Sequence, residues 1–233
     1  MSFVTAELFS VRGRVACITG ASAGLGRALA TALAEAGAKT VGIARRAPAL
    51  EAWRAETRGE TAAITADLGD PTAMADVGAR AAQPFGPPDI LINAAGVNTR
   101  QPADEVTAEG WQTTLDLNLS TPFFLAKALV PGMKAKGWGR IVNFASLQTE
   151  RAFPGGVAYG ASKGGIGQLT RAMAEAWSRH GITANALAPG FFPTELTGPV
   201  FSDPERARRN AAQTCIGRNG DLADMVGPPL FLC

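Results

Sequence analysis

Three residue types able to handle a proton fall close together in the second half of the chain. Tyr159, the only tyrosine among 233 residues, stands four positions before Lys163 in the run Tyr159, Gly160, Ala161, Ser162, Lys163. Residues four apart on a helix share one face. A phenol near its reference pKa of about 10 is a poor base at neutral pH, but an ammonium ion beside it favours the phenolate. Tyr159 can then exchange a proton with a carbonyl or alcohol oxygen. Ser146, closing an apolar run, can hydrogen-bond that same oxygen and steady it as charge develops. A tyrosine and a lysine one turn apart are, alone, ordinary helix residues, so the reading depends on the elements that position them.

Those elements alternate. Short runs rich in Val and Ile, at Val15 to Thr19, Thr40 to Ala44, Ala62 to Thr65, Ile90 to Asn93, Ile141 to Phe144 and Thr183 to Leu187, read as buried strands. Between them, Leu25 to Ala36, Pro71 to Gln83, Trp111 to Met133 and Ala161 to Trp177 carry helical periodicity. Strand and helix in alternation specify an α/β fold, a Rossmann-type doubly wound parallel sheet with helices on both faces. Asp70 before Pro71 marks a helix start, and Gly37 and Gly181 mark helix ends. No linker interrupts the pattern, so residues 1–233 read as a single dinucleotide-binding catalytic domain. The stretch 191–214 differs: proline and glycine come first, then a short charged helix around Glu205 to Arg209, the composition of a substrate lid.

The first strand runs directly into Thr19, Gly20, Ala21, Ser22, Ala23, Gly24, Leu25 and Gly26, and a helix follows. Three glycines there allow a tight turn and close approach of backbone to a pyrophosphate, and the helix N-terminus offers unpaired N–H groups. Its position between first strand and first helix makes this a dinucleotide site. An acid at the end of the second strand would hold the adenosine ribose and repel a 2′-phosphate, but Ala44 stands there, followed by Arg45 and Arg46. Arg45 therefore points to NADP(H), with NAD(H) as second choice. Asp67 and Leu68, after the third strand, are placed at the adenine, and Asn93, Ala94 and Gly96 close the next strand end. All lie at strand C-termini, where open α/β sheets bind ligands.

With these motifs in order, the sequence resembles the short-chain dehydrogenase/reductase superfamily over nearly its whole length. The resemblance is carried by the glycine motif at Thr19 to Gly26, Asn93-Ala94-Ala95-Gly96, Asn118, Ser146, Tyr159, Lys163 and Pro189-Gly190. It implies that Tyr159 is the general acid/base, that Lys163 lowers its pKa and binds the nicotinamide ribose, and that Ser146 orients the substrate carbonyl. Asn118 would hold a water in the proton relay. Pro189 to Thr194 would contact the nicotinamide, with Phe192 through its backbone and Thr194 through its hydroxyl. Two departures stand out: Ala94 replaces the usual second asparagine, and family members continue past the region of Cys233 into a last strand. Lack of that strand would leave a sheet edge open and remove a usual subunit contact.

Within the superfamily, Ser146 to Arg151 with Phe153-Pro154, and Leu8-Phe9-Ser10, are most similar to gluconate 5-dehydrogenases and related sugar-acid and polyol dehydrogenases. Gln148, Glu150 and Arg151, with Asn98 and Arg100 after the fourth strand, could line a pocket for hydroxyls and a carboxylate, or stand as solvated loop residues. Arg100, Ser146, Gln148 and Tyr159 are the candidate substrate residues. A 3-oxoacyl-[acyl-carrier-protein] reductase is the alternative activity, since Phe191, Phe192, Leu196 and Phe201 would suit an acyl chain. A non-catalytic dinucleotide-binding regulator is the alternative outside enzymes. Net charge of +2, with Lys and Arg scattered, suggests no nucleic-acid partner. No apolar run reaches membrane length and Met1 to Arg14 lacks a signal pattern, so the expected place is the cytoplasm. Cys17, Cys215 and Cys233 read as free thiols, His180 as a helix-end residue, and a metal site is not expected. The apolar content of the long helices permits a homo-oligomer, dimer or tetramer.

Overall fold

The computed structural model describes residues 9–233. Leu8 and most of the N-terminal stretch read for a signal pattern lie outside the described residues. Six strands form one sheet: β1 (Val15–Thr19), β2 (Lys39–Ala44), β3 (Thr61–Thr65), β4 (Ile90–Asn93), β5 (Gly139–Phe144) and β6 (Ile182–Leu187). They are ordered β3-β2-β1-β4-β5-β6, every pair parallel. Each expected strand is present, four of them extended at the N-terminal end. The chain reverses direction across the sheet between β1 and β4, and that switch point opens a crevice at the strand C-termini.

Burial on both faces explains the near-continuous apolar runs of β1 and β4. On one face Cys17, Val41, Leu91 and Ile141 pack against α3 (Met74–Ala81), α5 (Thr121–Lys136) and α6 (Val157–Trp177). On the other, Ala16, Ile18, Ile90 and Val142 pack against α1 (Gly24–Glu35) and α2 (Ala47–Glu56). α2 escaped the periodicity reading because only Leu50 and Trp53 of its ten residues are buried. Trp53 is wholly buried: its Nε1 donates to Thr31 Oγ1 at 3.1 Å, and its ring fills the space above Gly42. Burial also pushes the Cys17 thiol up to about 12, which leaves it unionised.

The punctuation was legible. Asp70 accepts hydrogen bonds from Thr72 N at 2.9 Å and Thr72 Oγ1 at 2.7 Å, although it caps a 3₁₀ turn (Pro71–Ala73) that leads into α3. Gly37 and Gly181 take φ of 94° and 75°, the left-handed conformation that ends a helix without a Cβ penalty. One expected helix is wrong. Trp111 to Met133 is α4 (Ala108–Leu115) and α5, joined by a single π turn at Asp116–Ser120. After β6 the chain forms α7 (Gly198–Phe201), α8 (Pro204–Ala212) and α9 (Gly227–Leu232). α8 is the charged helix expected near Glu205, and Asp203 caps it by accepting from the backbone N–H groups of Glu205 and Arg206. β6 is an edge of the sheet among the described residues, and no helix there is long and apolar enough to cross a membrane.

Candidate active site

A cleft of about 590 Å³ opens along the C-terminal ends of the strands. One end is built by the turn between β1 and α1. Gly20 and Gly24 take φ of 73° and 55°, and a Cβ on Gly26 would come 2.4 Å from the carbonyl oxygen of Gly20. Thr19 fixes this turn to the next strand end, accepting at Oγ1 from Ala94 N at 3.0 Å and Ala95 N at 3.1 Å. Gly20, Ser22, Gly24, Leu25 and Gly26 all line the cleft, with Arg45, Asp67, Leu68, Ala94 and Gly96 along its floor and wall. The Asp67 carboxylate also accepts from Gly69 N at 2.9 Å, which holds the loop beyond β3.

Between the two arginines after Ala44, the one that engages the phosphate turn is Arg46. Its Nη2 donates to Ser22 Oγ at 3.2 Å, and its two terminal nitrogens each lie 2.9 Å from a carboxylate oxygen of Glu195. Arg45 lines the same cleft, so both guanidinium groups stand where an acid is missing. The Glu195 carboxylate is a stand-in anion: the corner made by Ser22 and Arg46 takes negative charge in a bidentate fork, as a phosphate requires. Together with the glycine turn, this donor set fits a nicotinamide dinucleotide phosphate.

The other end of the cleft holds the proton-handling group. Ser146 lies two residues beyond the end of β5 and caps a 3₁₀ turn; its Oγ accepts from Gln148 N at 3.1 Å, which leaves the hydroxyl proton free to be donated into the cleft. Tyr159 and Lys163 lie in the first turns of α6 and both line the cleft, with Lys163 Nζ 5.5 Å from the centre of the Tyr159 ring. Lys163 is buried and donates to the carbonyl oxygen of Phe144, the last residue of β5 and two positions before Ser146. Burial pulls its ammonium down from 10.5 to about 8. At the phenol, burial sets the direction of the shift. Burial raises its pKa above the ordinary value, opposed by hydrogen bonding with Ser146 and by the charge of Arg100.

Two expected residues are away from the cleft wall. The Asn93 side chain lies within the sheet layer and donates to Asn143 Oδ1 at 2.9 Å, and Asn143 donates in turn to Thr170 Oγ1 at 2.9 Å. That buried network braces β4, β5 and α6. Asn118 sits in the π turn with both amide donors spent, on Val97 O at 2.8 Å and Ser162 Oγ at 3.1 Å, while Oδ1 accepts from Val97 N at 2.9 Å. No side-chain donor remains for a relay water. Ser162 donates onward to the carbonyl of Tyr159 at 2.7 Å, so Asn118 acts on the turn that carries the phenol. Ser162 was invisible to sequence reasoning because its partner is 44 residues away.

Pro189, Gly190, Phe192 and Thr194 line the remaining wall, as expected. Phe192 turns its ring into the core against Gly220, and Thr194 is held by Thr197 at 3.0 Å. This segment is fastened across the cleft at three points. Besides Arg46 to Glu195, Arg100 Nη2 donates to Leu196 O at 2.6 Å, and the Phe153 and Phe191 rings meet edge-on at 6.2 Å. Arg100 is the only non-glycine residue with positive φ, 55°, among the described residues. An Asx turn holds it there, Asn98 Oδ1 accepting from Arg100 N at 3.0 Å. Gln148, also lining the cleft, has a buried Oε1 without a partner among the described residues.

A doubly wound sheet with a glycine turn at one end of its crevice and a serine, tyrosine and lysine at the other defines an oxidoreductase of the short-chain type. The chain belongs to the short chain dehydrogenase family, which it matches over residues 14–205. Gluconate 5-dehydrogenase of Gluconobacter oxydans (strain 621H) is 39% identical over 229 residues, 97% of this chain and 90% of that protein. The crystal structure of a gluconate 5-dehydrogenase from Burkholderia cenocepacia J2315, in complex with NADP and tartrate, superposes with a TM-score of 0.90 at 34% identity, covering 98% of this chain and 91% of the other. A 3-oxoacyl-[acyl-carrier-protein] reductase, FabG of Vibrio cholerae, is 32% identical over 223 residues, 96% of this chain and 91% of that protein.

Proposed function

We propose that this protein is an NADP(H)-dependent dehydrogenase that interconverts a secondary alcohol and a ketone on a sugar acid or polyol, in the manner of a gluconate 5-dehydrogenase. The observation that carries the reading is the convergence of Ser146, Tyr159 and Arg100 on one end of a cleft whose other end sets Ser22 and Arg46, paired with the Glu195 carboxylate, beside the glycine turn. The relative solved with NADP holds tartrate, a small hydroxy acid, and that likeness supports both the cofactor and the substrate class.

In this reading the Tyr159 phenol gives its proton to the carbonyl oxygen during reduction and takes one back during oxidation. Ser146 donates a hydrogen bond to the same oxygen, which develops negative charge. Lys163 holds a cofactor ribose from its buried position, and Asn118 positions the Tyr159 turn through Ser162. Gly20, Ser22, Gly24, Leu25 and Gly26 hold the pyrophosphate end, Arg45 and Arg46 the 2′-phosphate, Asp67 and Leu68 the adenine, and Ala94 and Gly96 the floor between them. Pro189, Gly190, Phe192 and Thr194 close on the nicotinamide end. Asn93 supports that floor from behind. Hydride transfer to or from the substrate carbon is the chemistry the dinucleotide supplies when bound.

Arg100 takes the substrate carboxylate and Gln148 a hydroxyl, which favours a sugar acid over an acyl thioester despite Phe153, Phe191 and Leu196 in the same wall. Residues 191–214 serve as the lid of a single catalytic domain. Exposed Trp111, Phe124 and Val157 on α4, α5 and α6 would be covered by a second copy of the chain, and a cytoplasmic homo-oligomer completes the reading. A panel of 5-ketogluconate, a neutral ketose and an acetoacetyl thioester, each with NADPH and NADH, tests it. Fastest turnover of 5-ketogluconate with NADPH is expected. Thioester reduction without 5-ketogluconate turnover would assign the reductase activity instead, and dinucleotide binding without turnover of any carbonyl would make the protein a regulator.

A further inference from the structure

Arg46 and Glu195 lie on opposite walls of the cleft, 149 residues apart, and meet in a two-pronged ion pair with both contacts at 2.9 Å. Both side chains are largely exposed, at 52% and 67%, so neither is trapped there by packing. Glu195 raises the guanidinium's pKa, first through the hydrogen bonds and then through its charge. β2 ends on Ala44 and brings no acid to this corner, so the segment after β6 delivers one from the far wall.

The end-on edge of a guanidinium binds an anion bidentately, and here both of its terminal nitrogens are committed to Glu195 while Nη2 also reaches Ser22. A second anion arriving at the fork finds it occupied and its charge cancelled. Resting on the NADP(H) reading above, we infer that Glu195 is a specificity-determining residue that competes with the cofactor's 2′-phosphate for Arg46. The phosphate must displace the carboxylate, and the segment carrying Glu195 then loses one of its three fastenings. A cofactor without the 2′-phosphate leaves the pair closed. Glu195 thereby narrows the preference for NADP(H) that the two arginines create.

The test is calorimetric titration of NADPH and NADH into the parent, Glu195→Gln, Arg46→Gln and the double variant, read as Kd. An exposed pair of this kind is worth little, so Glu195→Gln should tighten NADPH roughly two- to five-fold and leave NADH unchanged. In the Arg46→Gln background the same substitution should have no effect, which a merely structural role for Glu195 would not produce. Equal changes for NADH and NADPH would overturn the inference, because Glu195 would then act on the whole dinucleotide. So would an effect that persists without Arg46, or no effect of Glu195→Gln at all, while tight NADPH binding by the parent would leave the cofactor reading standing. Failure of the parent to bind either dinucleotide would remove both.

Discussion

Replacing Lys163 with methionine keeps the length of a buried side chain and removes its charge. The lysine is only 4% exposed, and burial holds its ammonium at about 8 against an ordinary 10.5. Unfolded, the chain keeps the proton up to the ordinary value. Between those two pKa values the unfolded state therefore binds more protons than the folded one, and stability rises with pH across that window. Below it the folded protein carries the full cost of a buried charge, about 3 kcal/mol at about 1.4 kcal/mol per pKa unit; above it the cost is gone. Methionine carries no such cost, but leaves the Phe144 carbonyl without the lysine donor, worth about 1–3 kcal/mol. At neutral pH the two changes offset, and the variant should match the parent in stability while losing turnover. From about pH 7 to pH 10.5 the parent should gain about 3 kcal/mol on the variant. Urea unfolding followed by tryptophan fluorescence at several pH values measures that difference, and groups common to both proteins cancel from it. A difference that stays flat with pH would refute the reasoning, since it would mean that Lys163 keeps its ordinary pKa in the fold.

Tyr159→Phe should lower turnover by about 10²- to 10⁴-fold with NADPH affinity intact, and a variant as active as the parent would remove the phenol from the mechanism. Because burial raises the Tyr159 phenol, it stays protonated through neutrality. Tyrosine-dependent carbonyl reduction should thus be level over roughly pH 6 to 9, whereas alcohol oxidation, which needs the phenolate, should climb about tenfold per pH unit; initial rates in both directions decide it. Arg100→Gln should cut kcat/KM for 5-ketogluconate by about 10- to 100-fold, the value of a charge-assisted hydrogen bond, and spare a neutral ketose; equal losses on both would make Arg100 a brace for Leu196 alone. Gly42→Ala places a Cβ 2.6 Å from the Trp53 ring. Its unfolding free energy should drop by about 1–3 kcal/mol from overpacking, measured by urea titration.

The strands and the ends of the elements are legible because burial on both sheet faces writes itself as apolar runs, and because Gly37, Gly181 and Asp70 have local reasons for their positions. The glycine turn and the Ser146, Tyr159, Lys163 group were legible for the same reason, each being short in sequence. What escaped depends on distance in the chain. Adjacent arginines are indistinguishable by type, and only the extended backbone of Arg46, φ −89° and ψ 91°, at the start of α2 sets which one turns back to Ser22. Glu195 meets it from 149 residues away. Spacing places Lys163 beside Tyr159 but does not report how deeply both groups are buried, which raises the phenol and lowers the ammonium.

The π turn at Asp116–Ser120 is, in effect, one residue too many in an otherwise continuous rod. Each residue of an α-helix advances the rotation by about 100°, so the extra one resets the phase between α4 and α5. α5 can therefore keep Leu125, Leu129 and Met133 on the sheet while α4 packs against α6. Deleting Leu119 or Ser120, between Asn118 and α5, would make a tidier helix. It would also swing α4 and Asn118 about a quarter-turn out of phase and unhook Ser162, so the irregularity acts as a rotary adjustment that lets one helix serve the core at its C-terminal end and the phenol-bearing turn at its other.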